Sequence, residues 1–167
     1  MMANLESRRT DSASRIIAAS AESIYRAFVD PVAWPQWLPP DGMTGHIDEF
    51  DPRADGIYRM TLTYRGDQLQ VGKTSENTDV VEGRFVELIP NERVVQIVRF
   101  QCDDPAFSGE MHMTWSLSPT PGGTEVSIVA KNVPKGISKD DHDAGLRSTL
   151  RNLARFVENS DEFSAHR

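Results

Sequence analysis

Three stretches of this chain alternate apolar and polar residues, and a later stretch repeats leucine at helical spacing. Tyr58, Met60, Leu62 and Tyr64 alternate with Arg59, Thr61 and Thr63. Met111, Met113, Trp115 and Leu117 alternate with His112, Thr114 and Ser116, and Val126, Ile128 and Ala130 follow the Pro121-Gly122-Gly123 turn. Neighbouring strand residues point to opposite faces, so each stretch specifies a strand with one covered face, which suits antiparallel pairing. Leu146, Leu150, Leu153 and Val157 recur at i, i+4, i+7 and i+11, the stripe of a helix able to cover such a sheet. The expected class is α+β.

The remaining elements follow from local chemistry. Ser14 to Ala19 reads as a first strand, and Ser20 as the N-cap of a helix carrying Ile24, Ala27 and Phe28 on one face. Asp30-Pro31 reads as a second helix start, ended by the prolines of Trp34-Pro35-Gln36-Trp37-Leu38-Pro39-Pro40. Thr44 to Phe50 is a weaker strand; Arg84 to Ile89 and Arg93 to Gln101 are strands about the Pro90-Asn91-Glu92 turn. In the first of this pair Phe85 and Ile89 share parity with Glu87, whereas Val86 and Leu88 share it with Arg84, which leaves its inward face open. Ser138 and Asp141 resemble a capping box, so the last helix is expected from near Ser138 to near Val157, with Arg147, Arg151 and Arg155 solvated. Residues 1–12 read as a flexible lead-in, 13–160 as one domain and 161–167 as a flexible tail.

Charge and motif content exclude several functions. Eighteen basic against 25 acidic residues give a net charge of −7, which disfavours nucleic acid and anionic lipid as partners. No apolar run approaches the ~20 residues of a membrane span, and residues 1–9 lack the apolar stretch of a secretory signal. A cytoplasmic location is expected. Gly72-Lys73-Thr74 lacks the glycine that a phosphate loop needs five residues earlier; Asp67 stands there. His46, His112, His142 and His166 are dispersed, and Asp140, Asp141 and Asp143 suit a helix dipole better than a calcium loop. Cys102 is the sole cysteine and lies beside Asp103 and Asp104, whose charge disfavours a thiolate. No Gly-x-Ser-x-Gly elbow is present. No catalytic residue, metal or cofactor is therefore expected. Trp34, Trp37, Met60, Met111 and Met113 suit a ligand pocket and an ordinary core equally well.

Several phrases occur in a telling order. Asp30-Pro31 and Trp37 precede Pro39-Pro40-Asp41-Gly42-Met43-Thr44-Gly45 and Phe50-Asp51-Pro52-Arg53. Then come Gly56-Ile57-Tyr58-Arg59-Met60, Gly72-Lys73-Thr74-Ser75-Glu76 and Gly83-Arg84-Phe85-Val86-Glu87-Leu88-Ile89-Pro90-Asn91-Glu92-Arg93. Gly123-Thr124-Glu125-Val126 and Gly145-Leu146 complete the series. From about Arg15 to Val157 the chain closely resembles the family named after the C-terminal domain of the activator of the Hsp90 ATPase, within the START/Bet v 1-like (SRPBCC) superfamily. Leu146 departs from it, because members often carry tryptophan after the glycine. The resemblance implies a helix-grip fold: a curled seven-stranded antiparallel sheet around a long C-terminal helix, two short helices after the first strand, and a cavity between sheet and helix. It also implies a choice of roles, since relatives bind lipids, sterols or polyketides, some cyclise or dehydrate polyketides, and the namesake stimulates a chaperone.

Three functions follow for such a chain. The first is a protein that holds an apolar or aromatic small molecule in the cavity. Its expected lining is Tyr58, Met60, Leu62, Tyr64, Val98, Phe100, Met111, Met113, Trp115, Leu146 and Leu150. Gln96 shares the parity of Val94, Val98 and Phe100 and is an expected inward polar group. The second is a cyclase or dehydratase in the same cavity, with the tyrosines or Glu87 as acid–base groups. The third is a co-chaperone acting through its surface on a chaperone partner. An open apolar cavity favours the first, a buried carboxylate in it the second, and a filled one the third.

Overall fold

The computed structural model describes residues 9–65 and 77–165. The Gly72-Lys73-Thr74 stretch and His166 lie outside them. Ten elements follow in order: strand β1 (Thr10–Ile17), helices α1 (Ala21–Val29) and α2 (Trp34–Trp37), strands β2 (Met43–Phe50), β3 (Ile57–Tyr64), β4 (Thr78–Ile89), β5 (Arg93–Phe100), β6 (Met111–Thr120) and β7 (Gly123–Lys131), and helix α3 (Lys139–Ala165). A single 3-10 turn, Pro105–Phe107, interrupts the β5–β6 connection. The strands form one antiparallel sheet in the order β1-β7-β6-β5-β4-β3-β2. Strands β2 to β7 therefore pair with their chain neighbours, and only β1 crosses to the far end of the sequence. The fold is the expected curled sheet gripping a C-terminal helix.

The alternating residues land where their period directs them. Tyr58, Met60 and Leu62 of β3, Met111, Trp115 and Leu117 of β6, and Val126, Ile128 and Ala130 of β7 are all buried. Against this face lies the α3 stripe of Leu146, Leu150, Leu153 and Val157, each 5% exposed or less. Ser20 caps α1, its Oγ accepting from Ser23 N at 3.1 Å. The α1 and α2 helices are tied by tryptophan: Trp34 Nε1 donates to Phe28 O at 2.8 Å and Trp37 Nε1 to Ala27 O at 3.1 Å. These bonds satisfy carbonyls that the end of a helix leaves without partners. Both tryptophans are core residues, in edge-to-face contact with Phe28, Phe50, Tyr58, Phe85 and Trp115.

Four boundaries differ from the sequence expectation. Strand β1 begins at Thr10, four residues before Ser14, because Asp11 is drawn into the protein by basic partners and Thr10 pairs with Lys131. Asp30 opens a turn, accepting from Val32 N at 2.9 Å, and α2 itself starts only at Trp34. Strand β4 starts at Thr78, not Arg84; its polar first residues pair with β3. Helix α3 passes Val157 and continues to Ala165, so the expected boundary at 160 falls inside it. Its start is as expected, with Ser138 Oγ accepting from Asp141 N at 3.1 Å.

The open parity of Arg84 to Ile89 has a specific answer. The β4–β5 register shifts between Phe85 and Glu87, a bulge that inserts Val86. Phe85 is fully buried, Val86 is exposed, and Leu88 packs against the core. The inward set changes parity within one strand, so neither simple alternation describes it.

Candidate functional site

The aromatic cluster fills the space under one end of the sheet and leaves the other end open. There a groove of about 900 Å³ runs between β3–β5 and the first half of α3. Leu62 and Tyr64 of β3, Asp79 of β4 and Phe100 of β5 form its floor. The α3 wall includes Asp141, His142, Ala144, Gly145, Ser148 and Arg151, and the rim includes Asp41, Met43, Phe107 and Ile137. A Cβ built on Gly145 meets nothing within 4 Å, so the missing side chain is part of the opening.

The rim is held by side chains rather than by packing alone. Thr149 Oγ1 donates to Leu38 O at 3.2 Å, Asn152 Nδ2 to Pro39 O at 3.1 Å, and Arg151 pairs with Asp41. These bonds fix the 38–41 loop on α3. On the other side Gly136 N donates to Ala106 O at 2.6 Å, and a Cβ at Gly136 would lie 2.8 Å from Phe107 Cε1. Glycine there lets the 3-10 turn close on the loop before α3.

Two buried carboxylates define the polar character of this end. Asp79, 2% exposed, accepts from the Tyr64 hydroxyl at 3.1 Å. Burial raises the Tyr64 pKa well above its ordinary value, and the charge of Asp79 adds to the effect. Tyr64 therefore keeps its proton. Asp11 is wholly buried beside His142, whose Nδ1 lies 2.7 Å from Asp11 Oδ2. Lys139 Nζ lies 3.3 Å from Oδ1, and an Arg9 guanidinium nitrogen 3.1 Å from Oδ2. Burial alone would raise the Asp11 pKa, but the bonds from His142 and Lys139 and the charge of Arg9 together hold it below the usual value.

Three of the twelve expected lining residues, Leu62, Tyr64 and Phe100, border the groove. The other nine lie beneath or beside it. Met60, Val98, Met111, Leu146 and Leu150 are buried in the sheet–helix core, and Met113 packs against it half-buried. Tyr58 is buried with its ring over Gly83, where a Cβ would meet its hydroxyl at 2.4 Å. Gln96 points inward, but its Oε1 accepts from Trp115 Nε1 at 3.0 Å and so serves the buried indole. Glu87 is half-exposed and bound to Arg93 Nε at 2.8 Å, and does not border the groove.

Sequence reasoning missed Asp79, His142 and Gly145. Asp79 shares the inward parity of Val81, a signal hidden by starting the strand at Arg84. His142 stands four residues before Leu146 and so continues the helical stripe toward the N-terminus.

The comparisons agree with this architecture. The family described as Activator of Hsp90 ATPase homolog 1-like protein matches residues 18–158. A crystal structure of a Chromobacterium violaceum protein is 34% identical, spans 89% of this chain and 97% of its own, and superposes with a TM-score of 0.78. A Rhodobacter sphaeroides protein shares the fold at 22% identity, covering 92% and 95% of the two chains with a TM-score of 0.72. An Arthrobacter aurescens solution structure shares it at 13% identity, covering 91% and 87%, with a TM-score of 0.75. No curated protein matches the chain. Among the described residues no helix is long and apolar enough to cross a membrane. With the sheet, the gripped helix and residues 18–158 all in agreement, the chain belongs to the Activator of Hsp90 ATPase homolog 1-like family, whose fold is of the SRPBCC type.

Proposed function

We propose that this protein binds an apolar or aromatic small molecule in the groove between β3–β5 and the first half of α3. The observation that carries the reading is the groove itself, about 900 Å³ with Met43, Leu62, Phe100, Phe107 and Ile137 at its border. Small-molecule sites are concave, roughly 300–1,000 Å³, and mainly apolar with a few placed polar groups. Of the twelve residues expected from the sequence, Leu62, Tyr64 and Phe100 belong to this site in the proposal, and the nine others support it from the core. The family includes ligand-binding and co-chaperone-type proteins, and an open groove favours the former.

The test uses the neutral fluorescent probe N-phenyl-1-naphthylamine and two variants that fill the space. Gly145→Trp adds a ring where no atom stands within 4 Å, and Leu62→Trp adds one from the floor. Both should abolish probe binding while far-ultraviolet circular dichroism stays native. Unchanged affinity in either folded variant would move the probe elsewhere and leave the co-chaperone reading in front. Acid–base chemistry on the bound molecule is the second reading, favoured by buried Asp79 at the floor. Glu87 plays no part in it.

A further inference from the structure

His142 borders the groove with 12% of its side chain exposed, and its Nδ1 faces buried Asp11 at 2.7 Å. A carboxylate accepts hydrogen bonds and donates none, so Asp11 requires the ring proton on Nδ1. In the neutral imidazole that choice leaves the lone pair on Nε2. No protein group bonds Nε2 among the described residues. Two of the basic neighbours are engaged elsewhere: Lys139 is held by Asp11 and Asp143, and Arg151 by Asp41. Nor does the groove suit an anion. Asp41, Asp79 and Asp141 border it against Arg147 and Arg151. What it presents is an oriented ring nitrogen among apolar and charged side chains.

From this geometry we infer that His142, positioned by Asp11, is the hydrogen-bond acceptor of the groove, and that the ligand is an apolar molecule with a neutral hydroxyl, a phenol or enol, donating to Nε2. The inference rests on the reading of the groove as a small-molecule site and adds the chemical class of its occupant.

The full chain is titrated with 2-naphthol and 2-methoxynaphthalene, which share a ring system and differ in the donor. The wild type should prefer 2-naphthol by roughly five- to tenfold, the worth of one hydrogen bond. His142→Phe should bring that preference to about one, whatever it does to the affinity for each probe. In Asp11→Asn the amide N–H should donate to Nδ1 and move the ring proton to Nε2. That preference should then fall as well, and nitrogen-15 spectra of the unliganded variant should show the exchanged tautomer. A preference kept in His142→Phe, or an Nε2–H tautomer in the wild type, would overturn the inference; the spectrum decides even if His142→Phe fails to fold. Equal wild-type affinity for both probes would overturn it and leave the groove reading standing. Binding of neither probe to the folded wild type would overturn both.

Discussion

Asp11 gives up all contact with water on folding and stays charged. A buried carboxylate is tolerated only when paired and hydrogen-bonded, and here His142, Lys139 and Arg9 supply the partners. Its folded pKa lies below the ordinary 3.8, so the native state holds fewer protons than the unfolded chain as acid is added. The stability it contributes is complete above the unfolded value and is lost as pH falls through the folded one. Wild type should therefore exceed Asp11→Asn in unfolding free energy at pH 6, with the gap narrowing below about pH 4 in urea titrations at each pH. Leu150→Ala removes a side chain 1% exposed in the core and should cost ~2–5 kcal/mol in the same assay. The two residues differ in how far the sequence announced them. Leu150 sits in a leucine stripe that a 3.6-residue period exposes, whereas Asp11 is one polar residue in a polar stretch. Its importance comes from partners about 130 positions away, at Lys139 and His142, which no local pattern records.

At the scale of elements, strand β4 combines two departures from regular pairing. The Val86 bulge moves the inward set from Phe85 to Leu88, so Phe85 joins the tryptophan cluster while Leu88 still reaches the core. Two residues earlier Gly83 gives up a side chain so that Tyr58 can lie across the strand. Its missing Cβ would stand 2.4 Å from Tyr58 Cζ and 2.7 Å from Ile97 O. Because one of these atoms is backbone, Gly83→Ala should cost about 1–3 kcal/mol as an overpacked site does. It should also shift the near-ultraviolet circular dichroism of the Trp34 neighbourhood, and an unchanged unfolding midpoint would mean that β4 gives way freely. Strands β3, β6 and β7 were legible because nothing interrupts their alternation. Strand β4 was half legible, since a bulge changes the period and an inward glycine and aspartate carry no apolar signal. The same reason hid half of the groove: its floor includes Asp79, and its wall has a glycine where a side chain would advertise a face.

For the molecule as a whole, the strand order sets how its parts depend on one another. Six strands pair with their chain neighbours, and β1 alone pairs with a strand more than a hundred residues away. Contacts between distant segments carry a loop-closure cost before they return any stability. The β6–β7 hairpin should thus be formed in the folding transition state and the β1–β7 pairing largely absent from it. Conservative substitutions at Ile128 and Leu117 should slow folding, whereas Ile17→Val should mainly speed unfolding, as stopped-flow kinetics would reveal. Equal effects on both limbs would refute that order. The overall architecture was the most legible scale, because a one-faced sheet and one amphipathic stripe admit few arrangements. The same strand order constrains the cell as well as the test tube. A ribosome delivers β1, α1 and α2 first, with Ile17, Ile24, Phe28, Trp34 and Trp37 destined for burial. The partner strand of β1 is not complete until Lys131 has been added. At roughly 5–20 residues per second, the nascent chain carries β1 without that partner for roughly 5–20 s, and whatever shields it in that interval shares in making the protein.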